Sequence, residues 1–305
     1  MTRYLLSRLF QMIPPLLGLT VVLFILIRVG GDPVAHMVEP DATEEEVQLV
    51  REAYGFDKPF LEQYFTQFSL IIRGDFGDSL RFKEPAMPLV IDRLPATLEL
   101  ALASIVVALL IAAPAGILSA VYQNTWIDFL VTTSSTLGRA MPNFWIGIML
   151  ILVVGVQLRW LPPSGRLELV SIILPAITLG TSIATTLARV LRSSLLEVMR
   201  RDYMTTAHAK GLKKWTVILR HGLRNALIAV VTVFGLQMAW LLGGSVIIEE
   251  VFAWPGMGRL LLRSVLLRDL AVVQAGVMVF ALVIMFTNLV VDILYAYLDP
   301  RIRYS

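Results

Sequence analysis

The sequence predicts an all-α integral membrane protein with six transmembrane helices, and three observations carry that expectation. Of its 305 residues 57% are hydrophobic and only 16% charged, whereas a soluble domain carries roughly 25% charged residues. Six apolar runs reach the length of about 20 residues needed to cross the hydrocarbon core. Lys and Arg divide unevenly between the loops, as they do when loops face opposite sides of a membrane. The runs are continuous rather than alternating, so helices and not barrel strands satisfy the backbone in lipid.

The first run, Leu9–Ile27, follows Arg3 and Arg8 and contains Pro14 and Pro15. It is longer than the apolar core of a secretory leader and shows no small-x-small cleavage site before Gly30-Gly31, so it reads as a retained first helix. The loop from Gly30 to Ala96 sets six bases against thirteen acids, a net −7. Within it, Thr43-Glu-Glu-Glu46 has capping-box spacing and opens a short helix ending near Gly55. Pro59 opens a second helix, from Phe60 to Arg73, which stops at Gly74. Phe60, Tyr64, Phe65 and Phe68 lie near helical spacing, and such aromatics are expected to pack on neighbouring structure or at the membrane interface rather than hold a ligand. The loop is expected to form a structured outer cap.

The second, third and fourth runs are Leu100–Tyr122, Phe129–Leu158 (interrupted by Arg139) and Leu169–Ala188. Between Arg189 and Arg224 nine bases face only Glu197 and Asp202, a net +7. Arg192 to Arg201 and Tyr203 to Lys210 read as helix formers, with Gly211 a natural stop. The expected result is a pair of short helices around a glycine turn. Ala207 and Ala209 are small enough for a partner to approach closely. Trp215–Leu219 and Leu223–Leu227 lead into the fifth run, Asn225–Ile248; the sixth is Ala271–Val291, and the tail adds Arg301 and Arg303 against Asp299. The charge bias places both termini and the basic loop in the cytoplasm and the acidic loop outside, with Arg28 a minor exception. The expected organisation is residues 1–29 as N-terminus and first helix, 30–96 as outer loop, and 97–305 as core with a 192–225 loop.

Several functions are disfavoured by what the chain contains. There is no cysteine, hence no disulfide and no thiol chemistry. Gly211-Leu-Lys-Lys lacks the second glycine and the hydroxyl of a phosphate-binding loop. His36, His208 and His221 form no His-Glu-x-x-His pair, so no metal site or catalytic group is expected. A gradient-driven secondary transporter is the main alternative class, but Glu99, Asp128 and Asp292 all lie near helix ends rather than at the midplane where such proteins place coupling carboxylates.

The order of residues in the basic loop resembles the coupling segment, or EAA loop, of binding-protein-dependent ABC importer permeases: Glu-Ala-Ala, three residues, Gly, nine residues, then Ile-x-Leu-Pro. Thr205, Thr206 and Ala207 occupy the first three positions, and His221, Leu223 and Arg224 those of Ile, Leu and Pro. Only Ala207, Gly211 and Leu223 match the generic pattern. With Thr205 in place of Glu, a salt bridge to an ATPase from that position does not carry over. Asp202-Tyr-x-x-Thr-Ala-x-Ala-Lys-Gly211 and Arg220-His-x-Leu-Arg-Asn-Ala226 look like the peptide/nickel branch of the family.

Further landmarks along nearly the whole chain resemble the same branch: Arg8-Leu with Pro14, Gly31-Asp-Pro33, Gly74-Asp-Phe-Gly-Asp-Ser79, Arg93-Leu-Pro-Ala-Thr-Leu-Glu-Leu100, Glu249-Glu-Val-Phe-Ala-Trp-Pro-Gly-Met-Gly-Arg-Leu260, and Val291 through Arg303. Each is weak alone; together and in order they are similar to the glutathione and dipeptide permeases of this group, specifically the B-type member of the permease pair.

The resemblance implies a type I ABC importer transmembrane domain with a cytoplasmic coupling helix, located in the bacterial inner membrane. It implies as partners a second homologous permease, two ATPase subunits and a periplasmic solute-binding protein, besides membrane lipid and with no nucleic acid. ATP and Mg would be bound by the ATPases, with no cofactor in this chain. Asp202, Tyr203, Thr206, Ala207, Ala209, Lys210, Gly211, Leu212 and Leu223 would form the ATPase-coupling site. Polar residues inside the helices are candidates for the pathway, namely Ser134, Ser135, Arg139, Asn143, Gln237 and Asn288, with helix–helix hydrogen bonding as the alternative fate. Glu249, Glu250 and Arg259, at the outer end of the fifth helix, are candidates for contact with the binding protein.

Overall fold

A computed structural model describes residues 2–29, 34, 43–53 and 55–298. The Gly31-Asp-Pro33 turn and the basic tail beyond Leu298 lie outside the described residues. Twelve α-helical segments follow along the described chain: α1 (Thr2–Val29), α2 (Glu44–Ala53), α3 (Phe60–Ile72), α4 (Ala86–Val121), α5 (Trp126–Ala140), α6 (Asn143–Leu150), α7 (Ile173–Met199), α8 (Asp202–Ala209), α9 (Lys214–Thr216), α10 (Leu223–Val251), α11 (Met257–Leu266) and α12 (Leu270–Leu298). Wider π-helical turns extend α6 over Ile151–Gln157 and join α9 to α10 over Val217–Gly222. The chain divides into two compact units, Met1–Pro95 with Leu260–Met285, and Ala96–Arg259 with Phe286–Ser305.

In the first unit, α1 continues without a break across Pro14 and Pro15. The Thr43 box forms as its spacing predicts: Thr43 donates its backbone N–H (2.8 Å) and hydroxyl (3.1 Å) to Glu46 Oε2, and the Glu46 N–H returns a bond to Thr43 Oγ1. Those donors hold the Glu46 carboxyl below its usual range. The α3 aromatics pack on α1: the Phe24 ring meets Phe60 and Tyr64 edge-on, and the Tyr64 hydroxyl lies 3.0 Å from Thr20 Oγ1. Phe65 stays 63% exposed. Arg28, anomalous by charge bias, is used in this contact. Its guanidinium lies 3.5 Å over the Phe24 ring and donates twice to Gln63 Oε1. Gly74 ends the helix pair with φ +75°, the left-handed conformation that favours glycine.

The second unit is built around α7, twelve of whose residues are buried. Glycines let α4 approach it: a Cβ on Gly180 would fall 2.8 Å from the Ser104 carbonyl oxygen, and one on Gly116 2.8 Å from that of Ala188. At one end of this seam Glu99 pairs with Arg166 at 2.6 Å; at the other, Ser119 and Arg192 both bind Asp128. The contacts therefore advance together along both chains, so α4 and α7 run in the same direction and residues 122–166 must carry the chain back.

That return is not the single straight helix the third run predicts. It is α5 and α6, bent by 102°. Met141 and Pro142 are both extended, with ψ near 131° and 136°. The cause is local, because Pro142 lacks an N–H and its ring disfavours helical backbone at Met141. Counted as one crossing, the bent pair joins the five straight candidate spans to give six. The fourth helix is also longer than its apolar run, continuing through Arg192 to Met199, so the first of the two expected short loop helices is the end of α7.

Candidate functional site

The basic loop folds into one distinct helix, α8, held from behind. Met204 and Ala207 are buried against Val217, with Val198 and Met199 beside them. Gly222 leaves the room this requires: a Cβ there would lie 3.2 Å from Leu195 and 3.3 Å from Met204. Ala207 was expected to face a partner and does not. It sits on the inner face of α8, three residues after Met204, where helical spacing puts both on one stripe. Asp202, Tyr203, Thr205, Thr206, Ala209 and Lys210 are exposed, Leu212 is exposed beyond them, and Leu223 is half-buried.

Three features fix this helix. Asp202 opens its first turn, where a carboxylate opposes the positive end of the helix dipole. Asn225 Nδ2 donates to the Tyr203 hydroxyl at 3.2 Å and to the His221 carbonyl at 3.0 Å, tying α8 to the start of α10. Gly211 ends it with φ +77°, its N–H bonded to the His208 carbonyl at 2.9 Å, and a Cβ there would meet nothing within 4 Å. The result is a short helix with a largely polar exposed face on an apolar footing.

Of the pathway candidates, Asn143 opens α6 and joins Phe144, Trp240, Gly243, Gly244 and Ile247 around a cleft between α6 and α10. Gln237 lies one turn earlier on α10, half-buried. Ser134, Arg139 and Asn288 are exposed and do not line that cleft; Arg139 sits in the last turn of α5, beside the bend. Ser135, the other serine candidate, is turned inward on α5.

The end of α10 requires a correction. Glu249 was expected to meet a docked protein, yet it is fully buried. Its Oε1 accepts the Thr97 hydroxyl at 2.7 Å and its Oε2 the Arg259 N–H at 2.9 Å, while Thr97 Oγ1 accepts the Met257 N–H at 2.8 Å. The carboxylate thus caps the start of α11. Trp254, also buried, donates its indole N–H to the Ala96 carbonyl at 2.8 Å. Glu250 and Arg259 remain partly exposed and pair at 3.2 Å.

The sequence places Asp128 near a helix end and Arg192 among the loop bases, without naming either as the other's partner. The two form a bidentate pair at 2.7 Å for both bonds, joined by the Ser119 hydroxyl and the Asn124 N–H at 3.0 Å. Among the described residues no cluster of metal-ligating side chains occurs.

Residues 112–304 match the model of the binding-protein-dependent transport system inner membrane component, and residues 1–101 that of its N-terminal region. The chain belongs to this family. It is a permease, the transmembrane subunit of an ATP-driven ABC importer. It is 42% identical to the glutathione transport system permease protein GsiC of Escherichia coli strain K12 over 306 residues, the whole of both chains. The GsiC of Shigella boydii serotype 4 is equally similar over the same span. In fold the permease is similar to inward-facing conformations of the MetNI methionine ABC transporter, with TM-score 0.61 and 17% identity over 70% of this chain and 97% of that one. An amino acid ABC transporter crystallised with histidines is also similar, with TM-score 0.51 and 16% identity over 70% and 94% of the two chains. These neighbours bear on the helical fold alone.

Proposed function

We propose that this permease carries small peptides or related solutes, glutathione first among them, from a periplasmic binding protein across the bacterial inner membrane. Both termini and the 192–225 loop would lie in the cytoplasm and the 30–96 segment outside, as the charge bias favours. A second homologous permease and two ATPase subunits complete the assembly, and ATP and Mg bind to the ATPases, since this chain carries no phosphate-binding loop.

The observation that carries the coupling assignment is the two-faced character of α8, with Met204 and Ala207 seated and Asp202, Tyr203, Thr206, Ala209 and Lys210 presented. The presented face, with Gly211 and Leu212, docks in the ATPase cleft; Ala207 and Leu223 support it from behind. Nucleotide-driven closure of the ATPases then moves α8 and shifts the bundle between its two states. Asn143 and Gln237 are the pathway residues this reading favours. The Glu250–Arg259 pair, partly exposed, is the remaining candidate for steering the binding protein. A gradient-driven carrier gains no support from the buried acids: Asp128, Glu249 and Asp269 each stand near a helix end and meet hydrogen-bond donors there.

The test is ATPase activity of the assembled complex in vesicles, with and without loaded binding protein, for wild type and Gly211→Asp. Left-handed backbone costs a non-glycine residue about 1–2 kcal/mol, and the turn has room for the side chain, so the subunit folds. Stimulated activity is expected in the wild type and not in the variant, with assembly retained. A wild-type complex indifferent to loaded binding protein would sink the assignment. Uptake of labelled glutathione against di- and tripeptides by the same vesicles tests the solute.

A further inference from the structure

The coupling helix is joined to the bundle by the end of α7, where Val198 and Met199 pack on its footing, and by the start of α10, and the question is what the α7 route moves. Asp128, 5% exposed, answers with four donors drawn from three segments. Arg192 Nε and Nη2 reach it from the end of α7, the Ser119 hydroxyl from the end of α4, and the Asn124 N–H from the α4–α5 turn. A carboxylate has about four acceptor positions, so this one is filled. The network joins the base of α5 to α7 at Arg192, about two turns before α7 ends at Met199. Further along, a Cβ on Gly138 would lie 3.2 Å from Thr185 Cγ2, so α5 and α7 remain in close contact up to the bend. Beyond that bend stands Asn143 and the α6–α10 cleft.

We propose that Asp128 and Arg192 are positioning residues for energy coupling: they fasten α5 to α7 so that both move as one lever, delivering the displacement of α8 to the α5–α6 bend. The inference rests on α8 being the ATPase-coupling helix. A buried pair that only added stability would be replaceable by neutral groups at little cost. A strut would not, because its loss lets α7 move without α5.

The test uses the complete complex in vesicles and reads basal ATPase activity, stimulation by loaded binding protein, and solute uptake. Arg192→Gln alone strands a buried carboxylate and risks misfolding, so the first variant is the neutral pair Asp128→Asn with Arg192→Gln. It is expected to assemble and hydrolyse ATP at the basal rate, with stimulation and uptake reduced about tenfold. The second variant adds Gly138→Cys and Thr185→Cys, the only thiols in a chain that has none. Oxidation to the disulfide is expected to restore stimulation to the neutral pair, and reduction to abolish it again. In an otherwise wild-type chain the same disulfide leaves transport intact.

Full stimulation in the neutral pair would overturn the strut, as would loss of wild-type transport on closing the disulfide, which would mean that α5 slides on α7. Failure of the neutral pair to assemble would assign the two residues to folding and overturn it as well. In each of these cases the wild-type complex still responds to loaded binding protein. A wild-type complex without that response overturns the coupling reading itself.

Discussion

Glu249→Ala is expected to lower the stability of the folded subunit by about 2–6 kcal/mol, the scale of leaving two buried donors without their acceptor. The substitution removes the acceptor for the Thr97 hydroxyl and the Arg259 N–H at a fully buried position. Each donor left unsatisfied costs about 1–3 kcal/mol. Thr97 is then free to rotate, which exposes the Met257 N–H it now accepts. Glu249→Gln keeps one acceptor oxygen but turns an NH2 group toward one of these donors, so an intermediate loss follows. Gly256→Ala attacks the same knot sterically, since its Cβ would lie 2.3 Å from the Glu249 carboxylate. Glu250→Ala, at the adjacent but partly exposed position, is expected to cost no more than about 1 kcal/mol. Thermal unfolding of the purified complex in detergent measures the series. Equal melting of Glu249→Ala and wild type would show that the carboxylate does not hold the 252–259 turn.

The contrast between Glu249 and Glu250 marks where sequence reading stops. Two adjacent glutamates at the end of an apolar run look equivalent, and only the fold decides which one points inward; Thr97, the partner that decides it, is 152 residues away. The Asp128–Arg192 pair is hidden for the same reason, across 64 residues. What depends on local chemistry is legible: the Thr43–Glu46 box, the glycine stops at Gly74 and Gly211 with their positive φ, and the apolar spans. The α5–α6 bend stood between these cases. Pro142 signals it, yet an apolar run that resumes after the break hides it from a hydropathy count. Ala207 was misread through size alone, although its spacing from Met204 already placed both on one stripe of α8.

Interior glycines are the least legible feature, because a glycine inside a helix announces neither a neighbour nor its absence. Gly116 and Gly180 are expected to be intolerant even of alanine. At Gly180 the new Cβ meets a backbone oxygen at 2.8 Å and Val107 at 2.9 Å; at Gly116 it meets the Ala188 oxygen at 2.8 Å and Leu191 Cβ at 2.9 Å. Neither carbonyl oxygens nor Cβ atoms can rotate away from such contacts, so α4 and α7 must separate along the seam. Small residues are what permit close helix approach in a bilayer, and overpacking costs about 1–3 kcal/mol per site. Gly116→Ala and Gly180→Ala should each lower the melting temperature of the complex, and Gly180→Leu should leave no folded protein to purify. Gly18 supplies the control, since a Cβ there meets nothing within 4 Å, and Gly18→Ala should match wild type or exceed it through helix propensity. Gly243 has equally open space within the chain but lies in the α6–α10 cleft. Gly243→Ala should therefore leave folding unchanged and reduce uptake if solute or the second permease occupies that cleft. Identical melting of all four alanine variants would mean that the α4–α7 seam does not set the packing of the bundle.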